Sequence, residues 1–179
     1  MARRDPFGDP EALVRRVYSY VAYRIGPGAD AEDVTSETYA RALRGRSTYD
    51  PSRGTPIAWM LGIARRCLAE TIAARPVLTS QLPEPADPGD LEETALRRLT
   101  LRAAVATLDE RDQEIIALRY GADLSARRIG EILGLKTNAV EVALHRALLR
   151  LRTRLESDQS SVIGGKDPTL RGRIADDSV

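Results

Sequence analysis

Residues 124–147 read LSARRIGEILGLKTNAVEVALHRA, and this stretch decides the fold. Ser125 is a good N-cap for a short helix that turns Ile129, Ile132 and Leu133 inward. Gly130 leaves room for a neighbouring helix, and Gly134 supplies the left-handed residue that ends this one. Thr137 or Asn138 then caps a second helix with Val140 and Leu144 inward. Asn138, Glu141, Val142, His145 and Arg146 are left on the outer face. Two helices joined by so short a turn make a helix-turn-helix, and those outer positions are the ones that would enter a DNA major groove.

The same signals extend towards the N-terminus. Asp109 caps a helix whose Ile115, Ile116 and Leu118 lead through Arg119 and Tyr120 to Gly121, and a lead-in helix covers about Leu91 to Thr107. Earlier still, Leu13, Val14, Val17, Val21 and Ile25 recur at helical spacing until Gly26-Pro27-Gly28 stops them. Asp30 reads as the N-cap of a second helix, with Glu32 and Asp33 in its first turn. Val34, Thr38, Ala42 and Leu43 form one face, and Gly45 is the stop. A third helix runs from about Ile57 to Ala74 with an apolar stripe of Trp59, Met60, Ile63, Cys67 and Ile72. Trp59 and Cys67 lie on that stripe and read as core residues.

Composition agrees with an all-α chain. Of 179 residues 42% are hydrophobic but only 4% aromatic, so the core is aliphatic and suits helices. One Cys and one His cannot form an internal disulfide, a Cys/His zinc site or a Cys/His nucleophilic pair, which excludes most metal and thiol chemistry. No cofactor and no catalytic residue is expected. No apolar run approaches the roughly 20 residues needed to span a bilayer, and residues 1–9 lack the apolar stretch of a secretion signal, so a soluble, cytoplasmic protein is expected.

The net charge of +1 conceals a pattern. Residues 1–75 carry 12 basic and 9 acidic groups, residues 76–96 none and 5, residues 97–155 12 and 7, and residues 156–179 3 and 5. Two net-basic modules joined by a wholly acidic segment suit a chain that meets a polyanion twice. The acidic segment holds Pro76, Pro83, Pro85 and Pro88 and reads as an extended, flexible linker. The division is therefore a first helical domain over 1–75, a linker over 76–96, a second helical domain over 97–156, and a mobile tail over 157–179 that lacks helical periodicity.

These residues carry a family resemblance. Asp30 to Leu43, Tyr49-Asp50-Pro51-Ser52-Arg53-Gly54 and Trp59 to Arg66 resemble region 2 of bacterial RNA polymerase sigma factors of the extracytoplasmic function type, in the sigma-70 family. Leu108 to Tyr120, and Leu124 to Ala147, resemble region 4. The likeness covers roughly residues 11–155 in order. It implies a three- to four-helix bundle for region 2, a helix-turn-helix for region 4, and a dissociable initiation factor that is not itself an enzyme. Region 2 would bind the β′ clamp of the polymerase core and melt the downstream promoter element, and region 4 would meet the β flap and read the upstream one. An anti-sigma factor is a further implied partner.

On this resemblance Asp33, Ser36 and Glu37 are the polymerase-binding candidates, Ser36 standing where the family usually has Gln. Arg46, Tyr49, Arg53, Arg65 and Arg66 are the candidates for the downstream element, and Lys136, Thr137, Asn138, Glu141, Val142, His145 and Arg146 for the upstream one. Other positions depart from the pattern. Ile57 replaces a common Arg, the third helix ends Glu70-Thr71-Ile72-Ala73-Ala74 where the family tends to be basic, and Glu141, Val142 and Ala143 replace basic and small polar residues. Glu141 could accept from cytosine N4, which a basic residue cannot do, and this implies an altered upstream preference.

Plainer readings stay open for several of these. Asp33 and Glu37 also suit ordinary helix-surface acids. Arg46, Tyr49 and Arg53 read either as an exposed turn or as a loop that captures an unstacked base. His145 either packs on the lead-in helix or contacts DNA. The whole chain could instead be a stand-alone helix-turn-helix regulator, or a degenerate sigma-like protein that sequesters a partner.

Overall fold

The first helix begins where Asp9 can cap it. The Ala12 amide donates to the Asp9 carboxylate at 3.0 Å, and Pro10 occupies the first turn, where no donor is needed. In this computed structural model, which describes residues 7–74 and 92–163 and places side chains over 99–157 of the second stretch, helix α1 is Pro10–Ile25. Gly26 and Gly28 follow with φ of +88° and +122°, a conformation that L side chains rarely adopt, and turn the chain into α2, Ala29–Arg44. Gly28 holds the cap position without a side-chain bond, so Asp30 lies inside the first turn rather than capping it. Helix α3 is Pro56–Ala74.

These three helices pack against one another through Leu13, Val17, Tyr20 and Val21 of α1, Ala31, Val34 and Ala42 of α2, and Ile57, Met60, Leu61, Ala64, Cys67 and Leu68 of α3. Fully burying a Leu or Ile side chain contributes about 1.5–3 kcal/mol, so this aliphatic interior can hold three short helices without aromatic bulk. Leu43, 44% exposed, and Ile72, 43%, expected on the apolar stripes, instead stand at the surface, each near the C-terminal end of its helix, while Val34, Thr38, Ala42, Met60 and Cys67 of the same stripes are buried.

The second domain starts with α4, Glu92–Ala106, and α5, Glu110–Ile116, capped by Asp109 as expected. One π-helical turn, Ala117–Gly121, continues α5. Then come α6, Ala126–Leu133, and α7, Thr137–Ile163. Among the described residues there are helices and turns and no strand. Helix α4 matches the expected lead-in helix to within a residue at each end, so its first turn falls within the segment counted as linker, while α7 continues past Ser157 into the expected tail. The rest of that linker, 75–91, and of that tail, 164–179, lies outside the described residues.

The two domains share one interior. Ile115, Ala117, Leu118, Ala122, Leu124, Ile129 and Val140 belong to the same buried cluster as the α1 to α3 residues. Gly121 lies against the Ser19 and Tyr20 backbone so closely that a Cβ there would stand 2.9 Å from the Ser19 carbonyl oxygen. At the rim, Arg16 donates to the Ala122 and Asp123 carbonyls at 2.8 and 3.0 Å.

Candidate nucleic-acid interface

The helix-turn-helix is set by three local devices. The Ser125 hydroxyl accepts the Arg128 amide at 3.4 Å, Gly134 takes φ 69° and ψ 31°, and Ile129 and Val140 are fully buried where α6 and α7 cross. Gly130 serves the turn rather than a neighbouring helix. The Leu135 amide donates to its carbonyl at 2.9 Å, and a Cβ on Gly130 would lie 2.5 Å from the Leu135 carbonyl oxygen. Helix α7 starts at Thr137, so Lys136 stands just before its first turn.

From that start the outer face is as expected. Lys136, Thr137, Asn138, Glu141, Val142, His145 and Arg146 are all exposed. Among the described residues no ion pair engages Lys136, Glu141 or Arg146, so their charges face solvent. Lys136, Asn138, Val142 and Arg146 line a groove whose other wall is the start of α5, with Arg111, Asp109 and Asp112. Arg150 joins them and ion-pairs with buried Asp112, fixing α7 on α5. Sequence reasoning missed Arg111 and Arg150; their only sequence signal is a basic residue just after a cap and another one turn beyond Arg146.

The expected polymerase-binding residues lie on α2. Asp33 and Ser36 are exposed. Glu37 is engaged: Arg41 donates to it at 2.6 Å and Arg44 at 3.3 Å. Arg41 also makes a two-point contact with Glu70 of α3 at 2.9 and 2.7 Å. These bonds from Arg41 hold the Glu37 and Glu70 carboxyls below the usual carboxylate range. Glu70, a departure from a basic pattern when read along the chain, is thus the residue that ties α3 to α2.

The downstream candidates divide. Arg46, on a short 3₁₀ turn, and Arg53 and Arg66 are exposed. Tyr49 is not presented on the loop. It is 7% exposed, its ring 5.5 Å from that of Trp59, and its hydroxyl donates to the Gly54 carbonyl at 3.1 Å. The aromatic therefore braces the Arg46 to Pro56 loop from inside, and Trp59 packs half-buried between Tyr49 and Phe7 against the core. Across from the loop, Arg127, Arg128 and Glu131 of α6 complete a cavity with Tyr49, Arg53 and Gly54.

Arg65 is drawn to the other domain. Its Nε lies 2.9 Å from Oε1 of Glu114, a carboxylate that also accepts from Arg24 Nη1 at 2.6 Å and from the Tyr20 hydroxyl at 3.0 Å. Burial, and then the Glu114 charge, push the Tyr20 phenol well above the usual tyrosine range. Among the described residues no cluster of His, Cys, Asp and Glu could hold a metal ion, and no helix is long and apolar enough to cross a membrane.

Comparison with known proteins places this geometry. Residues 11–75 match the family model of sigma-70 region 2, and residues 98–151 that of sigma-70 region 4. The ECF RNA polymerase sigma factor BldN of Streptomyces coelicolor is 32% identical over 150 residues, covering 79% of this chain, which spans only 57% of that protein's length. ShbA of Streptomyces griseus, another ECF RNA polymerase sigma factor, is 34% identical over 139 residues, covering 70% of this chain and 71% of its own. Among solved structures, the sigma factor RpoE of Bartonella quintana in complex with the anti-sigma factor NepR shares the fold. It has a TM-score of 0.66 and 19% identity, and covers 82% of this chain and 93% of that one. With both regions matched in order around a helix-turn-helix whose outer face is exposed, the chain belongs to the sigma-70 family, in the group of ECF RNA polymerase sigma factors.

Proposed function

We propose that this chain is an alternative initiation factor that binds RNA polymerase core and directs it to specific promoters. Region 2 opens the DNA and region 4 reads the upstream element. The observation that carries the reading is the start of α7, where seven exposed residues from Lys136 to Arg146 project from a rigid helix-turn-helix. Thr137, Asn138, Glu141, Val142 and His145 meet base edges, and Lys136 and Arg146 contact phosphates or guanine. Each good two-point base contact gives about 1–3 kcal/mol of discrimination. Arg111, from the opposite wall of the groove, adds a phosphate contact.

In region 2, Arg46, Arg53, Arg65 and Arg66 supply phosphate contacts along the downstream element, whose salt dependence follows the number of counterions released. Tyr49 holds their loop in shape. Asp33, Ser36 and the Arg41-anchored Glu37 face the β′ clamp, and region 4 meets the β flap. Phosphodiester chemistry stays with the polymerase, and no residue here has a catalytic role. The factor works in the cytoplasm, and a protein anti-sigma factor controls it.

The test is transcription from genomic fragments by core polymerase with and without the chain, with start sites mapped by sequencing. Discrete new starts sharing two motifs at fixed spacing are expected. Core binding without new starts would instead identify a sequestering relative. A palindromic footprint by the chain alone, without core, would point to a stand-alone regulator.

A further inference from the structure

Phe7 precedes the residues matched to region 2, which begin at residue 11, yet its ring touches the scaffold of the downstream loop. It stands just ahead of the Asp9 cap of α1 and is partly buried against the core. Its ring centroid is 5.4 Å from that of Tyr39 on α2 and 6.4 Å from that of Trp59 on α3, both pairs edge-on at 61°. Trp59 in turn serves the loop at two points. Its ring lies beside Gly45, where a Cβ would stand 3.9 Å from Trp59 Cζ2, and its centroid is 5.5 Å from that of Tyr49. Gly45 ends α2 directly before Arg46, and the Tyr49 hydroxyl donates to the Gly54 carbonyl directly after Arg53. Both exposed arginines of the loop are therefore held at a neighbouring residue by a contact that traces back to Trp59.

We propose that Phe7 is a positioning residue for opening of the downstream element: by bracing Trp59 it fixes the Arg46 to Pro56 loop, so that Arg46 and Arg53 meet the displaced strand already in place. A half-buried indole held on one side only can swing about its two side-chain torsions, and the loop that leans on it would loosen with it. Contact groups that are ordered beforehand lose less conformational freedom when the strand arrives. The proposal rests on the sigma reading for what the loop does, though not for the bracing itself. A residue that merely filled the core would lower stability and every activity alike, whereas a positioning residue acts on the opening step.

Trp59 is the only tryptophan of the chain, so its emission reports the bracing directly. In the full chain, Phe7→Ala should move that emission to longer wavelength and open the indole to acrylamide quenching, while circular dichroism keeps its helical signal. Tryptic cleavage after Arg46 and Arg53 should quicken about three- to tenfold, the range that one edge-on aromatic pair contributes. With core polymerase, on the strongest promoter found by start-site mapping, Phe7→Ala should open the duplex more slowly by a similar factor. Core affinity should not change, and a template already unpaired across the downstream element should restore native transcription. Trp59→Phe shortens the ring through which Phe7 acts, so Phe7→Ala should add little to its effect on cleavage.

Unchanged emission and cleavage in Phe7→Ala would overturn the bracing. An equal loss on paired and unpaired templates, or additive effects of Phe7→Ala and Trp59→Phe, would reduce Phe7 to a core residue and overturn the positioning role. Should Phe7→Ala lose its helical signal, Phe7→Leu, which keeps apolar volume without the ring, is judged by the same criteria. Emission and cleavage need no polymerase. A native chain that starts no transcription would count against the sigma reading, and those two measurements would still decide the bracing.

Discussion

Tyr20 shows how one buried residue can report on the whole arrangement. Its phenol is raised above the ordinary tyrosine range by burial and by the neighbouring Glu114 charge, while an unfolded tyrosine ionises near about pH 10. The stability it contributes is therefore complete below that pH and declines as the pH rises beyond it, where the unfolded chain releases a proton that the folded chain keeps. Ultraviolet titration should find that Tyr20→Phe removes a phenol that ionises only as the protein unfolds, and the same variant should flatten the alkaline decline in stability. A variant that loses no such late-ionising phenol would contradict this. At the acid end the signs reverse. Glu37 and Glu70 are held below the usual carboxylate range by Arg41, so their stabilisation is present above that range and lost as the pH falls through their lowered values. Thermal melts at neutral and acid pH should show Arg41→Ala less acid-sensitive than the native chain; equal sensitivity would mean the α2–α3 tie contributes nothing.

At the scale of elements, the helix-turn-helix depends on few positions. Gly130→Ala has no room beside the Leu135 carbonyl and should disorder the turn, with loss of upstream reading. Ile129→Ala removes a fully buried side chain at the α6–α7 crossing and should cost about 2–5 kcal/mol in denaturant unfolding. Asp109→Ala, which deprives the Asp112 amide of its cap, should cost about 1 kcal/mol. A Gly130→Ala chain that reads promoters normally would mean the turn is looser than its packing implies. These elements were also the legible ones. Ser125, Asp109 and Gly134 act within a few residues of themselves, so cap and stop rules find them without knowledge of the rest of the fold. Asp30 misleads because Gly28, with its permissive φ, starts α2 earlier, and Leu43 and Ile72 mislead because spacing alone does not say where along a helix its neighbour ends.

At the scale of the molecule, what the sequence hides is what lies far apart in it. Tyr20 and Glu114 are 94 residues apart, and Arg65 reads only as a downstream-element candidate on the third helix until the second domain is seen against it. Tyr49 likewise reads as an exposed loop aromatic because Trp59, which buries it, lies on the next helix. The two-domain organisation was legible from the charge and proline pattern, and the shared interior was not, because no local rule encodes it. That interior has a thermodynamic consequence. The native chain should unfold in calorimetry as one cooperative transition, and Gly121→Ala should split it into two, one per domain. Two transitions in the native chain would show the domains to be independent.

The central claim is a division of labour, with α7 choosing the upstream sequence and the region 2 arginines serving the downstream element. Mapping start sites with core polymerase for the native chain, Glu141→Gln, His145→Ala and Arg53→Ala tests it most directly. The account predicts that Glu141→Gln and His145→Ala change the upstream motif and leave the downstream one intact. Arg53→Ala should weaken transcription from the same set of promoters. An upstream motif unmoved by the α7 variants, or moved by Arg53→Ala, would contradict it.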